Sequence, residues 1–131
     1  FVVLSAGQVI DKAVLGSLLY GVEHLAVPLL VVLGHSACGA VKATVEALET
    51  KAKPTGTAID DLVSAITPAV HEAEEIGAEG DTILEVAISI NVERAVESLK
   101  QTKHIGEAVS KRTLKVVGAI YDLATGEVDW L

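Results

Sequence analysis

The pattern of hydrophobic and polar positions along this chain has two periods, which separate predicted strands from predicted helices. Five consecutive large aliphatic residues over 29–33 predict a strand buried on both faces, and Gly34 directly after them predicts a sharp backbone turn. A second stretch, 114–121, has apolar residues of both parities and predicts another buried strand. We predict four strands in all, over 1–4, 29–33, 114–121 and 128–130.

The intervening segments carry apolar residues at intervals of three and four, as amphipathic helices do. Asp11 is the predicted N-cap of a helix that ends near His24, the pair at 80–81 begins the longest helix, and Pro68 predicts a kink or division in the helix between them. Strands alternating with helices predict right-handed parallel crossovers. We therefore predict an α/β fold, a single domain over 1–131 with three α/β/α layers, a mainly parallel central sheet and a C-terminal antiparallel edge hairpin.

Composition limits the classes of function. The 131 residues suffice for one domain with a core, half of them are hydrophobic, and no apolar run approaches the ~20 residues that cross a bilayer. A net charge of −8 with only two arginines argues against a nucleic-acid partner. The single cysteine excludes an internal disulfide, so we expect a cytoplasmic protein in a reducing compartment, with no membrane partner.

Candidate chemistry begins where the strand over 29–33 ends. His35 and Cys38 offer an imidazole and a thiol three residues apart, a spacing that lets both reach one zinc ion from a strand end and the first turn of a helix. Ser36 is a predicted N-cap, which places Cys38 at the second helical position, where the helix dipole favours the metal-binding thiolate. The pair is therefore a candidate metal site with Zn²⁺ as its cofactor.

Two other interpretations of this turn remain open on the residues alone. A buried cysteine is most often a small core hydrophobe, and a histidine beside it need have no role. Residues 34–38 also match the G-x-S-x-G nucleophile elbow of the α/β-hydrolases through Ser36, which would make the protein a serine hydrolase. That match fails at Cys38, where the elbow has a small glycine.

Other polar and aromatic residues give weaker signals. His24, His71 and His104 are chemically able to carry protons, but their placement selects none of them, and we expect His104 to lie in a surface loop. Asn91 falls inside the longest predicted helix and either faces solvent or anchors a neighbouring loop. The final strand is an edge candidate that carries Trp130, which predicts that a partner subunit covers it.

Around the His-x-x-Cys turn the sequence resembles the β-class carbonic anhydrases, in family order over nearly the whole chain. The matching segments are Phe1-Val2-Val3-Leu4-Ser5-Ala6-Gly7, which resembles a strand ending in Arg-Asn-Ala-Gly, 16–25 in the following helix, 34–42 at the metal-binding turn, Asn91-Val92 in a later helix, and 117–126 in the closing hairpin. Leu4 and Ser5 replace the family's arginine and asparagine.

The resemblance implies a zinc lyase that hydrates carbon dioxide reversibly to bicarbonate. It implies His35 and Cys38 as metal ligands, Gly7 and Gly39 at the substrate pocket, and a homodimer or larger homo-oligomer. The alternative within the same family is a catalytically inactive subunit with a structural or binding role.

One motif of the family is absent from this sequence. The family has a Cys-x-Asp-x-Arg motif that supplies another zinc cysteine and a catalytic Asp–Arg pair, and it follows a strand at the centre of the sheet, upstream of the segment that matches Phe1. We therefore expect residues preceding Phe1 to belong to the domain; the alternative is a true truncation, which would remove a third ligand and a core strand together. No residue of this chain can be assigned as the catalytic Asp or Arg.

Overall fold

Five α-helices and three β-strands make up the fold in a computed structural model that describes all residues, 1–131. Short 3₁₀ turns lie at Ala6–Gln8 and Gly80–Thr82. In chain order the elements are α1 (Lys12–His24), β1 (Leu29–His35), α2 (Gly39–Glu49), α3 (Ile59–Glu75), α4 (Ile83–Gln101), α5 (Lys103–Ser110), β2 (Lys115–Tyr121) and β3 (Val128–Trp130).

The sheet has the strand order β1-β2-β3. β1 and β2 are parallel and pair along their whole length, from Leu29 opposite Lys115 to His35 opposite Tyr121. β3 pairs antiparallel with the end of β2, where Ala119 lies opposite Trp130. The chain crosses from β1 to β2 through four helices, because parallel neighbours cannot be joined by a tight turn. The predicted α/β class and the C-terminal antiparallel pair are confirmed.

Helices cover one face of β1, and the prediction that this strand is buried on both faces is wrong. Leu30 and Val32 are buried with residues of α4, including Val92 and Leu99. The alternate positions Leu29, Val31 and Leu33 are 48%, 38% and 49% exposed. The face of β1 that carries these exposed residues has no helical layer. Helices α1 and α5 pack on the same apolar cluster as α4, on the opposite face.

The segment before Ala6 is not a strand, which corrects the prediction for 1–4. It has no ladder partner, and Phe1, Val2 and Leu4 are 69%, 79% and 89% exposed. An apolar groove of about 500 Å³ separates this segment from β1 and is lined by both. β1 is an edge strand: it pairs with β2 on one side, and its other edge has no strand partner.

The predicted helices are confirmed in existence and differ in detail. The Asp11 side chain accepts a hydrogen bond of 2.7 Å from the Val14 amide, as expected of the N-cap of α1. Pro68 lies inside α3 without dividing it. His104 is in α5 rather than a loop, although its side chain is exposed as predicted. None of the helices combines the length and the apolar character needed to cross a membrane.

Candidate metal centre

The candidate ligands lie on either side of a two-residue turn between β1 and α2. His35 is the last residue of β1, and Cys38 is the N-cap of α2. Ser36 is therefore not the cap, and Cys38 is not at the second helical position, so both predictions are corrected. Ala37 makes the turn, with a φ of 53° in the left-handed region. The glycine that was expected to turn the chain continues the strand instead.

Gly34 is required for packing rather than for the turn. A Cβ on this residue would lie 2.6 Å from Val92 Cγ2 and 3.0 Å from Ile120 Cδ1. Val92 in α4 is fully buried and cannot withdraw into open space. Val92 of α4 thus packs against the backbone of β1 one residue before His35. This contact sets the distance between α4 and the end of β1.

The side-chain hydrogen bond of His35 defines which of its nitrogens is available to a metal. Nδ1 lies 2.9 Å from the carbonyl oxygen of Ser36. A carbonyl can only accept, so Nδ1 carries the proton in the neutral ring and Nε2 keeps its lone pair. Metal-binding histidines commonly hold their second nitrogen in such a bond to a backbone carbonyl. Nε2 of His35 therefore suits a metal.

Cys38 is placed at the junction between the turn and the helical core. Its residue is 3% exposed and packs in the cluster that contains Val41 and Val45 of α2 and Ile66 of α3. It is the only cysteine and is not in a disulfide. Cys38 is thus packed against the core at the start of α2.

These two donors fit zinc by type, since imidazole nitrogen and thiolate sulfur are its usual protein ligands. No group of three or more His, Cys, Asp or Glu side chains in the chain is arranged to hold a metal. The donor set within 1–131 is therefore two ligands of the usual four.

Ser36 is hydrogen-bonded to the end of β2 and to the segment that follows it. Its amide donates to the Tyr121 carbonyl at 2.9 Å, and its Oγ accepts from the Leu123 amide at 2.9 Å. Sequence reasoning missed both partners, because they are backbone groups more than 80 residues away and leave no side-chain signal. Ser36 Oγ has no histidine or carboxylate partner, and a serine nucleophile requires a base. The hydrolase interpretation therefore lacks the base that would activate Ser36.

The turn that meets Ser36 is ordered by a carboxylate. Asp122 Oδ1 accepts hydrogen bonds from the amides of Thr125 and Ala124, at 2.7 and 2.8 Å. These N–H groups, that of Thr125 first, lower the pKa of the Asp122 carboxyl below its ordinary value of 3.8. The amide of Thr55 is likewise the main group that lowers the pKa of Asp60, at the start of α3.

Of the two glycines that the resemblance implies at the substrate pocket, Gly7 packs against the first turn of α2 and Gly39 is the first residue of that helix. Gly7 has a φ of 60°, and a Cβ there would be 3.3 Å from the Ala40 Cβ. Gly39 opens α2 and faces open space. Gly7 also lines a pocket of about 430 Å³ that includes Asn91 and Arg94 but neither His35 nor Cys38.

Asn91 anchors the Gly7 turn, which is one of the two roles expected for it. Its Nδ2 donates to the Gly7 carbonyl at 2.7 Å and to Gln8 Oε1 at 3.3 Å. The residue is 8% exposed. The buried amide thus fixes the 3₁₀ turn on α4, and a mid-helix asparagine was the sequence signal for it.

The other three histidines are exposed and contact neighbouring surface side chains. His71 bonds Glu74 within α3 at 3.0 Å, and His104 of α5 bonds Glu23 of α1 at 3.0 Å. The ring of His24 lies 5.0 Å from that of Tyr20.

Together, the fold and the turn define an α/β domain that carries two zinc-type donors at the end of a parallel strand. The family model described as carbonic anhydrase matches residues 1–128. A carbonic anhydrase of Mycolicibacterium smegmatis is 42% identical over 129 residues, which are 98% of this chain and 61% of that protein. This chain belongs to the β-class carbonic anhydrase family. It spans about three-fifths of the length of the curated relatives it matches.

Solved structures give the same assignment. The Coccomyxa β-carbonic anhydrase in complex with acetazolamide superposes with a TM-score of 0.81 at 25% identity, over 96% of this chain and 58% of that chain. One of two tetrameric β-carbonic anhydrases from Sordaria macrospora has a TM-score of 0.74 at 26% identity, over 98% of this chain and 63% of that one. The topology described above is thus the family's.

Proposed function

We propose that this protein catalyses the zinc-dependent, reversible hydration of carbon dioxide to bicarbonate. The observation that carries the proposal is the His35–Cys38 turn between β1 and α2, in a chain that matches the carbonic anhydrase family over residues 1–128. The chain's relatives bear the name of that activity. The reactants are small, so neither a nucleic acid nor a membrane is required as a partner.

In this proposal His35 holds the metal through Nε2 and Cys38 holds it through Sγ. Bound zinc supplies the Lewis acidity that makes water a nucleophile at neutral pH. The Ser36 carbonyl positions His35 by accepting a hydrogen bond of 2.9 Å from its Nδ1. Core contacts position Cys38. A reducing cytoplasm would keep the only thiol of the chain available to metal.

The remaining ligands, in this proposal, come from outside residues 1–131, on a strand that pairs parallel with the free edge of β1. Two observations support an added strand: β1 has a free edge, and an apolar groove of about 500 Å³ lies between β1 and the segment before Ala6. The exposed aliphatic residues Leu29, Val31 and Leu33 share one face of the sheet, so they indicate an element that covers this face. A strand paired there would run beside the one that ends in His35, which brings its end to the same edge of the sheet.

The direct test of the proposed activity is the rate of CO₂ hydration, followed by stopped flow on zinc-loaded protein in its full natural length. We expect a rate well above the uncatalysed one, and we expect acetazolamide, which the Coccomyxa relative binds, to suppress it. Zinc-loaded protein with no hydration activity would leave the inactive-subunit alternative. Esterase activity that depended on Ser36, without hydration, would restore the hydrolase alternative.

We further propose that the protein is a homodimer or larger homo-oligomer that uses the edge of β3. Trp130 is 64% exposed, Val128 41% and Leu131 48%, so an apolar strip accompanies the unpaired edge of this strand. Unpaired apolar edges are normally covered. A second copy of the chain can cover the strip and pair with the edge at once.

Deleting residues 128–131 should weaken this assembly at least tenfold in dissociation constant, and Trp130→Ser should weaken it in the same direction. The reason is that both changes remove apolar surface from the contact. Sedimentation of dilute protein measures the change. Ile76→Ser is a matched control, since Ile76 is 68% exposed at the end of α3, away from β3. Equal effects of the Trp130 and Ile76 substitutions would argue against this edge as the contact.

A further inference from the structure

Ser36 makes three polar contacts, more than a connecting residue needs. Its amide donates to the Tyr121 carbonyl and its hydroxyl accepts from the Leu123 amide, each at 2.9 Å. Its carbonyl accepts from His35 Nδ1, also at 2.9 Å. One contact reaches the last residue of β2, one reaches the turn that follows it, and the third reaches the imidazole, so Ser36 connects the end of β2 and its turn to His35.

The next residue makes such a connection necessary. Ala37 has a φ of 53°, a conformation that a residue with a Cβ adopts at a cost, and its side chain is exposed. The one side-chain bond within the turn is that from His35 Nδ1 to the Ser36 carbonyl, since neither Ala37 nor Gly39 has a side chain that can bond the backbone. The turn therefore depends on contacts from elsewhere in the fold to remain in one conformation.

We propose that Ser36 is a positioning residue for the metal ligand His35. Its hydroxyl holds the turn on the Leu123 amide, which keeps the Ser36 carbonyl where His35 Nδ1 can donate to it. The ring is then held in one tautomer and one orientation, with Nε2 facing away from the carbonyl. The inference rests on the proposed function in taking Nε2 as the metal-binding nitrogen.

Two substitutions test this role in the intact protein. Ser36→Ala removes the hydroxyl and keeps both backbone contacts, while Ser36→Thr keeps a hydroxyl at the same position. In metal-free protein with a neutral imidazole, ¹⁵N chemical shifts of His35 should report the Nδ1–H tautomer in the parent and the threonine variant, and a mixture in the alanine variant. Exchange of the Leu123 amide should become about fivefold faster in the alanine variant only.

The same variants are compared for zinc affinity by competition with a chromophoric chelator. We expect the zinc dissociation constant to rise by about 10- to 100-fold in Ser36→Ala and to recover in Ser36→Thr. Ser110→Ala is the matched control, because its hydroxyl bonds the Gly106 carbonyl within α5, and it should change none of the three measurements.

The outcomes separate this inference from the proposed function. Unchanged ¹⁵N shifts and unchanged Leu123 exchange in Ser36→Ala would overturn the positioning role, whatever the zinc affinity. A parent protein that binds no zinc would overturn the proposed function, while the metal-free measurements would still decide the role of Ser36. A mixture of His35 tautomers in both the alanine and the threonine variants would also overturn the role assigned to the hydroxyl.

Discussion

The His35→Ala, Cys38→Ala double variant is expected to lose bound zinc completely, from close to one zinc per chain in the parent to none. Both donors lie at one turn. Nowhere in the chain do three or more His, Cys, Asp or Glu side chains form a group that could hold a metal without them. Removing an imidazole and a thiolate leaves at most half of a tetrahedral set. Elemental analysis after dialysis of the purified full-length protein measures the zinc content.

The control for this experiment is His71→Ala. His71 is a histidine with an exposed side chain that bonds Glu74 within α3, so its removal should leave the zinc content at the parental value. The single variants His35→Ala and Cys38→Ala should each weaken zinc binding, because each removes one direct ligand. Zinc that persisted undiminished in the double variant would show that these residues are not the ligands. Circular dichroism of each variant distinguishes loss of ligand from loss of fold.

Gly34→Ala is expected to lower the free energy of unfolding by about 1–3 kcal/mol, the usual cost of overfilling a packed core. The new methyl group would lie 2.6 Å from Val92 Cγ2, and Val92 is fully buried and branched at Cβ. Relief requires α4 to move away from β1 or β1 to move outward with His35 at its end. Chemical denaturation measures the loss.

Gly16→Ala is the matched control for this prediction. Gly16 lies inside α1, and a Cβ there would have no heavy atom within 4 Å. The same substitution should therefore raise the free energy of unfolding, by about 0.5–1 kcal/mol, since alanine is the better helix former. A Gly34→Ala variant as stable as the parent would show that α4 does not constrain the end of β1.

Four of the five helices could be predicted from the sequence, because their signals are local, whereas α5 was missed and its segment was expected to be a loop. Asp11 caps α1 at the expected place, and the 3.6-residue period of apolar positions identifies α4, although the predicted start at 80–81 is a 3₁₀ turn and α4 itself begins at Ile83. Asn91 could be reduced to two roles, since a mid-helix amide is stable only in solvent or when bonded. Only the folded chain decided between them, by bringing the Gly7 carbonyl 2.7 Å from Nδ2.

Strands were harder to predict, because a strand requires a partner that the local sequence does not supply. The segment over 1–4 has strand composition but no neighbour to pair with, so it is not part of the sheet. The aliphatic run at 29–33 is compatible with burial on both faces, yet Leu29, Val31 and Leu33 are exposed in this chain. Hydrophobicity states what a side chain prefers, and the tertiary structure decides what is present to cover it.

The sequence by itself determined the chemistry of the candidate site, an imidazole and a thiol three residues apart at the end of a strand, and with it the family. The tertiary structure alone decided how that turn is held. Gly34 is needed because Val92 approaches it from α4, and Ser36 is fixed by backbone groups of Tyr121 and Leu123. The physical reason is that donor identity resides in the side chains, whereas donor orientation depends on contacts between segments that are distant in the sequence.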